Sequence, residues 1–324
     1  MLTFWLALLM TFIILGVIYA RIDFRAFLRV LLDADPGWFA LALSIFIPMF
    51  LVTALRWQVI VQDVSPLSFW SAFKMCRAGK VLNVVTPAKL GEMSKAYFLK
   101  KESDTSLAPA FSAVLLEKVL DVAGLCVVLL GGAIFWRNTG EYVWWTAMLT
   151  SMGLLTVALA VMFIPMRPLS GLLMRLSPKM ERVTHLLEGW DETLRLWRRK
   201  PGRFAWIWVL SILLWSIHVL QIFLFFPTLA PETWTSVPIA FIVANVPLAI
   251  FIGLLPISFA GMGTRDAALI FLFSAYAASV STPVMAGVGL FCSMRIWVDT
   301  LVGIPFFHAY ARLSMEKSEK AETA

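Results

Sequence analysis

Ionisable side chains stand within or beside apolar segments of this chain, where a charge is expensive unless it has a role. Glu117, Lys118 and Asp121 stand together near the start of one such segment. Glu117 and Asp121 are four residues apart on one helix face, and their like charges repel unless Lys118 or a base elsewhere compensates. We expect them to pair with bases in a cavity and to set its charge. The alternative is that they only cap and solubilise a helix end.

Two further acid and base pairs lie in the last third of the chain. Arg265 and Asp266 follow a glycine-rich turn between two apolar runs, so both charges are expected to lie close to membrane depth. This position favours a functional role over an ion pair that only stabilises the turn. Arg295 and Asp299 stand four residues apart in the final apolar run. That spacing fits mutual neutralisation as well as it fits a binding site.

A third charged region covers residues 66–101, which are apolar overall. In a plain lipid-facing helix, Lys74, Arg77 and Lys80 would each cost about 2.5 to 3.5 kcal/mol, enough together to cancel its insertion energy. Proline and glycine also interrupt the region. We therefore expect a re-entrant or broken helix pair that lines a wet cavity. Lys74 and Arg77 share a helix face, which suits either anion binding or anchoring at the cytoplasmic surface.

The composition excludes a water-soluble protein. Of the 324 residues, 60% are hydrophobic and only 15% are charged, against roughly 25% charged in soluble domains. Apolar runs of membrane-spanning length recur, so we predict an all-α fold, a polytopic transmembrane helical bundle. The net charge of +7 indicates contact with anionic headgroups and not with nucleic acid, because the bases gather in loops and at helix ends.

The sequence carries no pattern typical of a metal site, a cofactor site or a disulfide framework. Cys76, Cys126 and Cys292 are far apart, and the three histidines are equally isolated. There is no nucleotide-binding motif. We expect no cofactor.

Six apolar runs predict membrane spans, and the first is expected to be retained because it has neither a basic start nor a cleavage site. The second ends at Arg56 and Trp57, a pair suited to the water–lipid boundary. A proline-punctuated run covers residues 237–259, and another opens after Gly261. The six predicted spans are residues 2–19, 37–55, 108–136, 142–164, 204–226 and 283–307.

Residues 167–203 form a polar insert with nine lysine or arginine residues, which we expect in the cytoplasm. The loop 227–236 has no base and should face outside. If residues 66–101 enter from the cytoplasm, the arginines of the loop 21–35 lie outside, against the positive-inside trend, so the side of the N-terminus stays open. Apolar residues recur in the insert at helical spacing, as in a helix on the membrane surface: Val183, Leu186, Leu187, Trp190, Leu194 and Trp197.

The two halves of the chain share a rhythm that suggests an inverted repeat. We expect one membrane domain over residues 1–324, with repeat halves at 1–164 and 204–310, the insert at 165–203 and a polar tail at 311–324. The alternative is that proline and glycine are simply common in membrane helices. Each half couples a proline-interrupted stretch to a glycine-led helix start with an acid and a base: Asn83, Pro87, Gly91, Glu92 and Lys95, then Asn245, Pro256, Gly261, Arg265 and Asp266. Helix starts near Gly91 and Gly261 would offer backbone N–H groups to an anion such as a phosphate headgroup.

Four segments together resemble one family, the lysylphosphatidylglycerol synthase transmembrane region, also described as a flippase-like or UPF0104 membrane family. They are NVVTPAKLGEMSKAY from Asn83, LEKVLD from Leu116, GMGTRDAA from Gly261, and Arg295 in the final run. The resemblance covers nearly the whole chain. It implies a domain that moves lipids between leaflets, with two re-entrant elements facing a central cavity.

This sequence departs from the family pattern at three charged positions. Lys89 and Lys95 stand where arginine is common, and Asp266 stands where glutamate is common. Lysine lacks the bidentate fork of arginine, so these positions bear on headgroup selectivity. Because few polar residues follow the last span, the aminoacyl transfer of the two-part relatives is not expected here.

We expect a multi-pass inner-membrane transporter, not an enzyme, that moves an anionic phospholipid or a lipid-linked phosphate passively or with an ion gradient. The alternatives are a membrane-embedded enzyme that modifies lipid headgroups and a non-catalytic partner of a lipid-modifying enzyme. The partners expected are a membrane lipid and, left open, a second copy of the chain or a lipid-biosynthetic enzyme. The candidate substrate-binding residues are Lys74, Arg77, Asn83, Lys89, Glu92, Lys95, Glu117, Lys118, Asp121, Arg265, Asp266, Arg295 and Asp299.

Overall fold

The computed structural model describes residues 2–83, 86, 91–103, 105–136, 141–176, 181–255, 257–273 and 280–322. These residues form helices joined by turns and short loops. A helix satisfies its backbone hydrogen bonds within one segment, which a hydrocarbon environment requires. The predicted all-α membrane fold is confirmed.

The described part of the first half contains eight α-helices. Aspartates begin two of them: Asp23 accepts hydrogen bonds from the backbone of Arg25 and Ala26, and Asp35 accepts one from Trp38. The helices are α1 (Leu2–Ala20), α2 (Phe24–Leu32), α3 (Pro36–Ser44), α4 (Phe46–Val61), α5 (Phe69–Leu82), α6 (Ser94–Ser103), α7 (Leu107–Phe135) and α8 (Glu141–Phe163).

The described part of the second half contains seven more. Its last helix continues to Glu322, so the final run is much longer than predicted and the expected polar tail is helical up to that residue. The helices are α9 (Arg167–Leu176), α10 (Glu181–Arg198), α11 (Pro201–Leu229), α12 (Thr233–Ser236), α13 (Ile239–Leu254), α14 (Thr264–Phe273) and α15 (Thr282–Glu322).

Within the described residues, four helical stretches are long and apolar enough to cross a membrane. The first of them joins α3 and α4 and ends six residues later than predicted. A fifth is counted if α1 and α2, which are bent by 95° relative to each other, form one span. The four stretches are Pro36–Val61, Glu141–Phe163, Pro201–Leu229 and Thr282–Arg312.

Two pairs of short helices fold back on themselves, one in each half. In the first, α6 returns along α5 so that the side chain of Lys95 lies beside Gly79; in the second, α14 returns along α13 so that Arg265 lies beside Gly253. A 3₁₀ turn precedes each returning helix, at residues 91–93 and at Phe259–Gly261. The broken elements predicted at these places are therefore present, whereas their inverted symmetry stays a prediction.

The second 3₁₀ turn lies beside the middle of α1. The hydroxyl oxygen of Thr11 accepts a hydrogen bond from the backbone N–H of Phe259 at 2.7 Å, and Ile14 lies against Gly263. Thr11 is halfway along the 19-residue helix α1. The turn is therefore about half the length of a membrane helix away from either end of α1.

Contacts of α11 identify the two ends of the bundle. At its start, Lys200 and Arg203 contact Asp63 just after α4, at 2.5 and 2.7 Å. Partial burial raises the pKa of Asp63, but the hydrogen bonds from the two bases outweigh it and hold this pKa below its ordinary value. At the other end of α11, Thr228 accepts a hydrogen bond from the backbone of Asp35. The loop 21–35 therefore lies at the end opposite to the insert.

The second half of the apolar stripe of the insert packs inside the bundle. Trp190, Leu194 and Trp197 of α10 are almost fully buried in a core shared with α7, whereas Val183 is exposed. The prediction that the stripe lies on the membrane surface is wrong for these three residues. Helical periodicity gives an apolar face, but it does not distinguish lipid from a neighbouring helix as the surface covered.

Candidate functional site: a charged cavity between the broken helices

A cavity of about 300 Å³ opens inside the bundle, between the two broken elements. Its walls come from α4, α5, α7, α11, α13 and α15, and from the starts of both returning helices. Among the described residues, six bases and four acids line it, an excess of two positive charges. They are Arg56, Lys80, Lys95, Lys118, Arg265 and Arg295, with Glu92, Glu117, Asp121 and Asp299.

Arg56 neutralises the two acids on α7. Its side chain is 2% exposed, and its guanidinium contacts Glu117 at 3.2 Å and Asp121 at 2.7 Å. It also donates a hydrogen bond to the hydroxyl of Ser211 at 3.2 Å. The prediction that Arg56 lies at the water–lipid boundary is wrong, because a base was needed between these like charges and Arg56 supplies it.

Lys95 shares Glu117 with Arg56. Its ammonium group is ion-paired with the second oxygen of Glu117 and lies 4.5 Å from the centre of the Trp57 ring. Trp57 is fully buried, so the ring gives the lysine an apolar wall and a favourable cation–π contact. Both oxygens of Glu117 are thereby occupied by bases.

Glu92 lies in the 3₁₀ turn at residues 91–93. It is ion-paired with two bases and is hydrogen-bonded to the residue directly after α5. Lys80 contacts one oxygen of Glu92 at 2.5 Å, and Lys118 contacts the other oxygen and also Asp121, the latter at 3.0 Å. Asn83 donates to the Glu92 carboxylate at 3.2 Å and accepts from its backbone N–H at 3.1 Å. The backbone amide of Glu92 is therefore already used.

The returning helix α14 is capped by its own acid. Asp266 accepts a hydrogen bond from the backbone N–H of Gly263 at 3.1 Å, the second half of a capping box. The same carboxylate takes two hydrogen bonds from Arg265, at 2.8 and 3.0 Å. The backbone N–H groups of Glu92 and Gly263 are thus already used, and anion binding by the remaining N–H groups near Gly91 and Gly261 stays a prediction.

The pair in α15 does not neutralise itself. Asp299 is ion-paired with Arg77 of α5, whose guanidinium also lies 4.0 Å from the centre of the Phe50 ring. Arg295 instead contacts Nδ1 of His218 on α11. The four-residue spacing therefore connects α15 to two different helices.

The sequence matches the family described as the lysylphosphatidylglycerol synthase TM region over residues 4–303. The chain belongs to this family. The resemblance inferred from its motifs is confirmed.

Two relatives of the family come from archaea, and both are described as UPF0104 membrane proteins. The protein of Methanocaldococcus jannaschii is 24% identical over 287 residues, which cover 83% of this chain and 84% of the relative. The protein of Methanothermobacter thermautotrophicus is 23% identical over 298 residues, which cover 85% of this chain and 86% of the relative.

The structure brings nine of the thirteen candidate residues to the cavity lining. Arg77 and Asp266 stand directly behind that lining as the partners of Asp299 and Arg265. Lys74 is not part of the lining, and Lys89 lies outside the described residues. The nine are Asn83, Glu92, Lys95, Glu117, Lys118, Asp121, Arg265, Arg295 and Asp299.

Among the described lining residues, three basic or imidazole side chains were missed as site residues: Arg56, Lys80 and His218. The signal that could have found Arg56 and His218 is their place within long apolar helices, since an ionisable residue at membrane depth is by default a functional candidate in this family as in others. In the described residues, no group of three or more histidine, cysteine, aspartate or glutamate side chains could hold a metal ion.

Proposed function

We propose that the chain transports a lipid, moving an anionic phospholipid or a lipid-linked phosphate between the leaflets of the inner membrane. The observation that supports this most directly is the cavity itself. Its described lining holds six bases and four acids inside an apolar helical bundle. A net positive cavity of this kind suits a ligand whose head is anionic and whose tails stay in lipid.

The fixed charges of the cavity can stabilise a charged headgroup, which the hydrocarbon core of the bilayer cannot do. Moving a bare charged group through the bilayer core is prohibitive, because nothing there replaces its hydration. Fixed ammonium and guanidinium groups can replace it, and the acids keep those bases paired when no headgroup is present. Exchange of a carboxylate for a phosphate on the same base is then the elementary step of transport.

The family description supports a role linked to lipid. Its name refers to the synthesis of lysylphosphatidylglycerol, a modified phospholipid. We propose transport and not catalysis for this chain, because the cavity carboxylates are already engaged by bases. Mass spectrometry of the lipids after incubation with purified protein tests the enzymatic alternative, which predicts a new headgroup species.

The transport test places a bulky side chain in the cavity without touching an ion pair. Purified protein is reconstituted in liposomes that contain phosphatidylglycerol with a fluorescent acyl chain, and leaflet exchange is followed with a membrane-impermeant quencher. Thr300→Trp fills the cavity, whereas Leu301→Trp puts the same side chain on an exposed position of the same helix. We expect exchange by the wild type and by Leu301→Trp, and at least a tenfold loss for Thr300→Trp.

The same liposomes test the charge preference. Phosphatidylcholine with the same fluorescent chain has no net charge, so a positive cavity should move it more slowly. Equal rates for both lipids would contradict an anion-selective path. An absence of exchange with folded wild-type protein would contradict transport altogether.

A further inference from the structure

Arg295 differs from the other bases of the cavity. Arg56, Lys80, Lys95, Lys118 and Arg265 each have a carboxylate partner. Among the described residues, no carboxylate oxygen lies within 4.0 Å of the Arg295 guanidinium. Its described contacts are Nδ1 of His218, the sulfur of Met49 at 3.8 Å and the thiol of Cys292, and its Nε is buried with no hydrogen-bond partner.

A charge held in this way needs a counter-ion. Arginine stays protonated in proteins, and a buried charge without a partner costs several kcal/mol. In the rest of the cavity a carboxylate meets that need. At Arg295 the missing partner is an anion, and the unused Nε–H is a donor available to it.

The contact with Arg295 determines the hydrogen-bonding role of the His218 imidazole. A guanidinium can only donate hydrogen bonds, so Nδ1 of His218 must accept, and the imidazole in this contact is neutral with its proton on Nε2. Protonation of Nδ1 would end this hydrogen bond and place two cations side by side. An anion between them removes that repulsion, because it can accept from both.

We propose that Arg295 and His218 form the binding site for the phosphate of the ligand, and that His218 takes up one proton from water when the phosphate binds. This deepens the proposed function, on which it rests, by naming the anion-binding residue and the proton-linked group. The phosphate accepts from the Arg295 guanidinium, and the proton on Nδ1 gives it a second charged donor. Anion and proton are then bound together.

The groups that face His218 come from several helices. Of the helices packed against α11, α3, α12 and α13 carry no charged or titratable residue, and α10 packs near the Pro201 end. The carboxylates among these groups are ion-paired with bases. Among the described residues, the charged or titratable groups that share the cavity with His218 are Arg56 on α4, Cys76 and Lys80 on α5, Glu92 in the 3₁₀ turn at residues 91–93, Lys95 on α6, Glu117, Lys118 and Asp121 on α7, Arg265 on α14, and Cys292, Arg295 and Asp299 on α15.

The test measures binding of dihexanoyl phosphatidylglycerol to the purified full chain in detergent, by calorimetry at about pH 5.5 and about pH 8. A phosphodiester is chosen because a phosphomonoester itself titrates near pH 6. Uptake of one proton changes affinity by up to about tenfold per pH unit. We expect the wild type to bind at least about tenfold more tightly at the lower pH, and His218→Gln to bind equally at both.

Matched variants separate the two residues. Arg295→Gln should abolish binding at both pH values, Arg295→Lys should retain part of it, and Arg312→Gln, an exposed base on the same helix, should leave it unchanged. If Arg295→Gln does not fold, Arg295→Lys still tests the site, since the loss of the planar fork must weaken binding. Gel filtration checks folding.

Two results would overturn the inference. If folded Arg295→Gln still binds the lipid, or if Arg295→Lys binds it as tightly as the wild type, Arg295 does not bind the phosphate. If the affinity of the wild type and of His218→Gln depends on pH in the same way, His218 is not the group that takes up the proton. Leaflet exchange, measured separately, distinguishes this from the proposed function: exchange without histidine-linked binding contradicts only the inference, and histidine-linked binding without exchange contradicts only transport.

Discussion

Glu117 joins two bases of the cavity that come from different helices. It is 1% exposed and accepts from Arg56 and Lys95, one base on each oxygen. Two bases on one carboxylate leave a positive excess that Asp121 partly balances. The packing of three helices, α4, α6 and α7, is thereby tied to one side chain.

Glu117→Gln should destabilise the protein by about 3 to 5 kcal/mol, because it leaves buried bases without their counter-ion. Adding Lys95→Met to this variant should recover part of the loss, since one of the two orphaned charges is then gone. Thermal unfolding in detergent measures both variants.

The matched control is Glu188→Gln on the exposed side of α10, which should change stability by no more than about 0.5 kcal/mol. Strict additivity of Glu117→Gln and Lys95→Met would contradict the pairing, because residues in one network couple.

The charged positions could be predicted from the sequence, but most of their partners could not. Insertion cost alone identifies Glu117 and Asp121 as unusual. Their partner Arg56 lies 61 residues from Glu117, and sequence spacing gives only contacts within one helix. The same limit explains why Arg295 and Asp299 looked like partners of each other.

At the scale of elements, the turn before α14 depends on left-handed backbone. Ala260, Gly261 and Gly263 have φ angles of 53°, 78° and 90°. A side chain on Gly261 would also collide with the backbone oxygen of Gly253. The tight fold-back of α14 on α13 therefore needs glycine at Gly261 for two independent reasons.

Gly261→Ala should lower the stability of the protein by at least about 1 to 2 kcal/mol, the cost of a left-handed alanine, with the collision added to it. Gly131→Ala is the matched control, because a methyl group there meets nothing within 4 Å inside α7. That control should be neutral or stabilising by up to about 1 kcal/mol. Thermal unfolding in detergent compares the two, and equal behaviour would contradict the tight turn.

The sequence predicts the existence of elements better than their ends or surroundings. Both broken helix pairs were indicated by charges and by proline and glycine, which are local features. The continuation of α15 to Glu322 was missed, because polar residues are compatible with both a helix and a tail. The burial of Trp197 was missed because it depends on α7.

At the scale of the whole molecule, the insert and the loop 21–35 lie at opposite ends of the bundle. The positive-inside trend puts the insert, with its nine bases, in the cytoplasm. The three arginines of the loop then lie outside. The sequence could state this conflict but could not resolve it, because the opposition of the two ends is set by packing along α11.

Cysteine labelling of intact vesicles tests the arrangement. The three native cysteines are buried, so an impermeant maleimide should report introduced cysteines at exposed positions. We expect Arg199→Cys to react only from the cytoplasmic side, and Arg25→Cys and Glu232→Cys only from the other side.

Permeabilised vesicles, in which all three variants should react, provide the control. Reaction of Arg25→Cys and Arg199→Cys from the same side would contradict the arrangement of the two ends.

The hydrogen bond between Thr11 and Phe259 joins residues 248 positions apart, and this sets an order of events during biosynthesis. At about 5 to 20 residues per second, the ribosome needs on the order of 12 to 50 seconds to extend the chain from one residue to the other. For that time the newly inserted α1 waits in the bilayer without the turn it will later cover. Its sequence is suited to this, because the 19 residues from Leu2 to Ala20 include no charged side chain. Helix α1 is thus made well before the neighbour that it finally contacts.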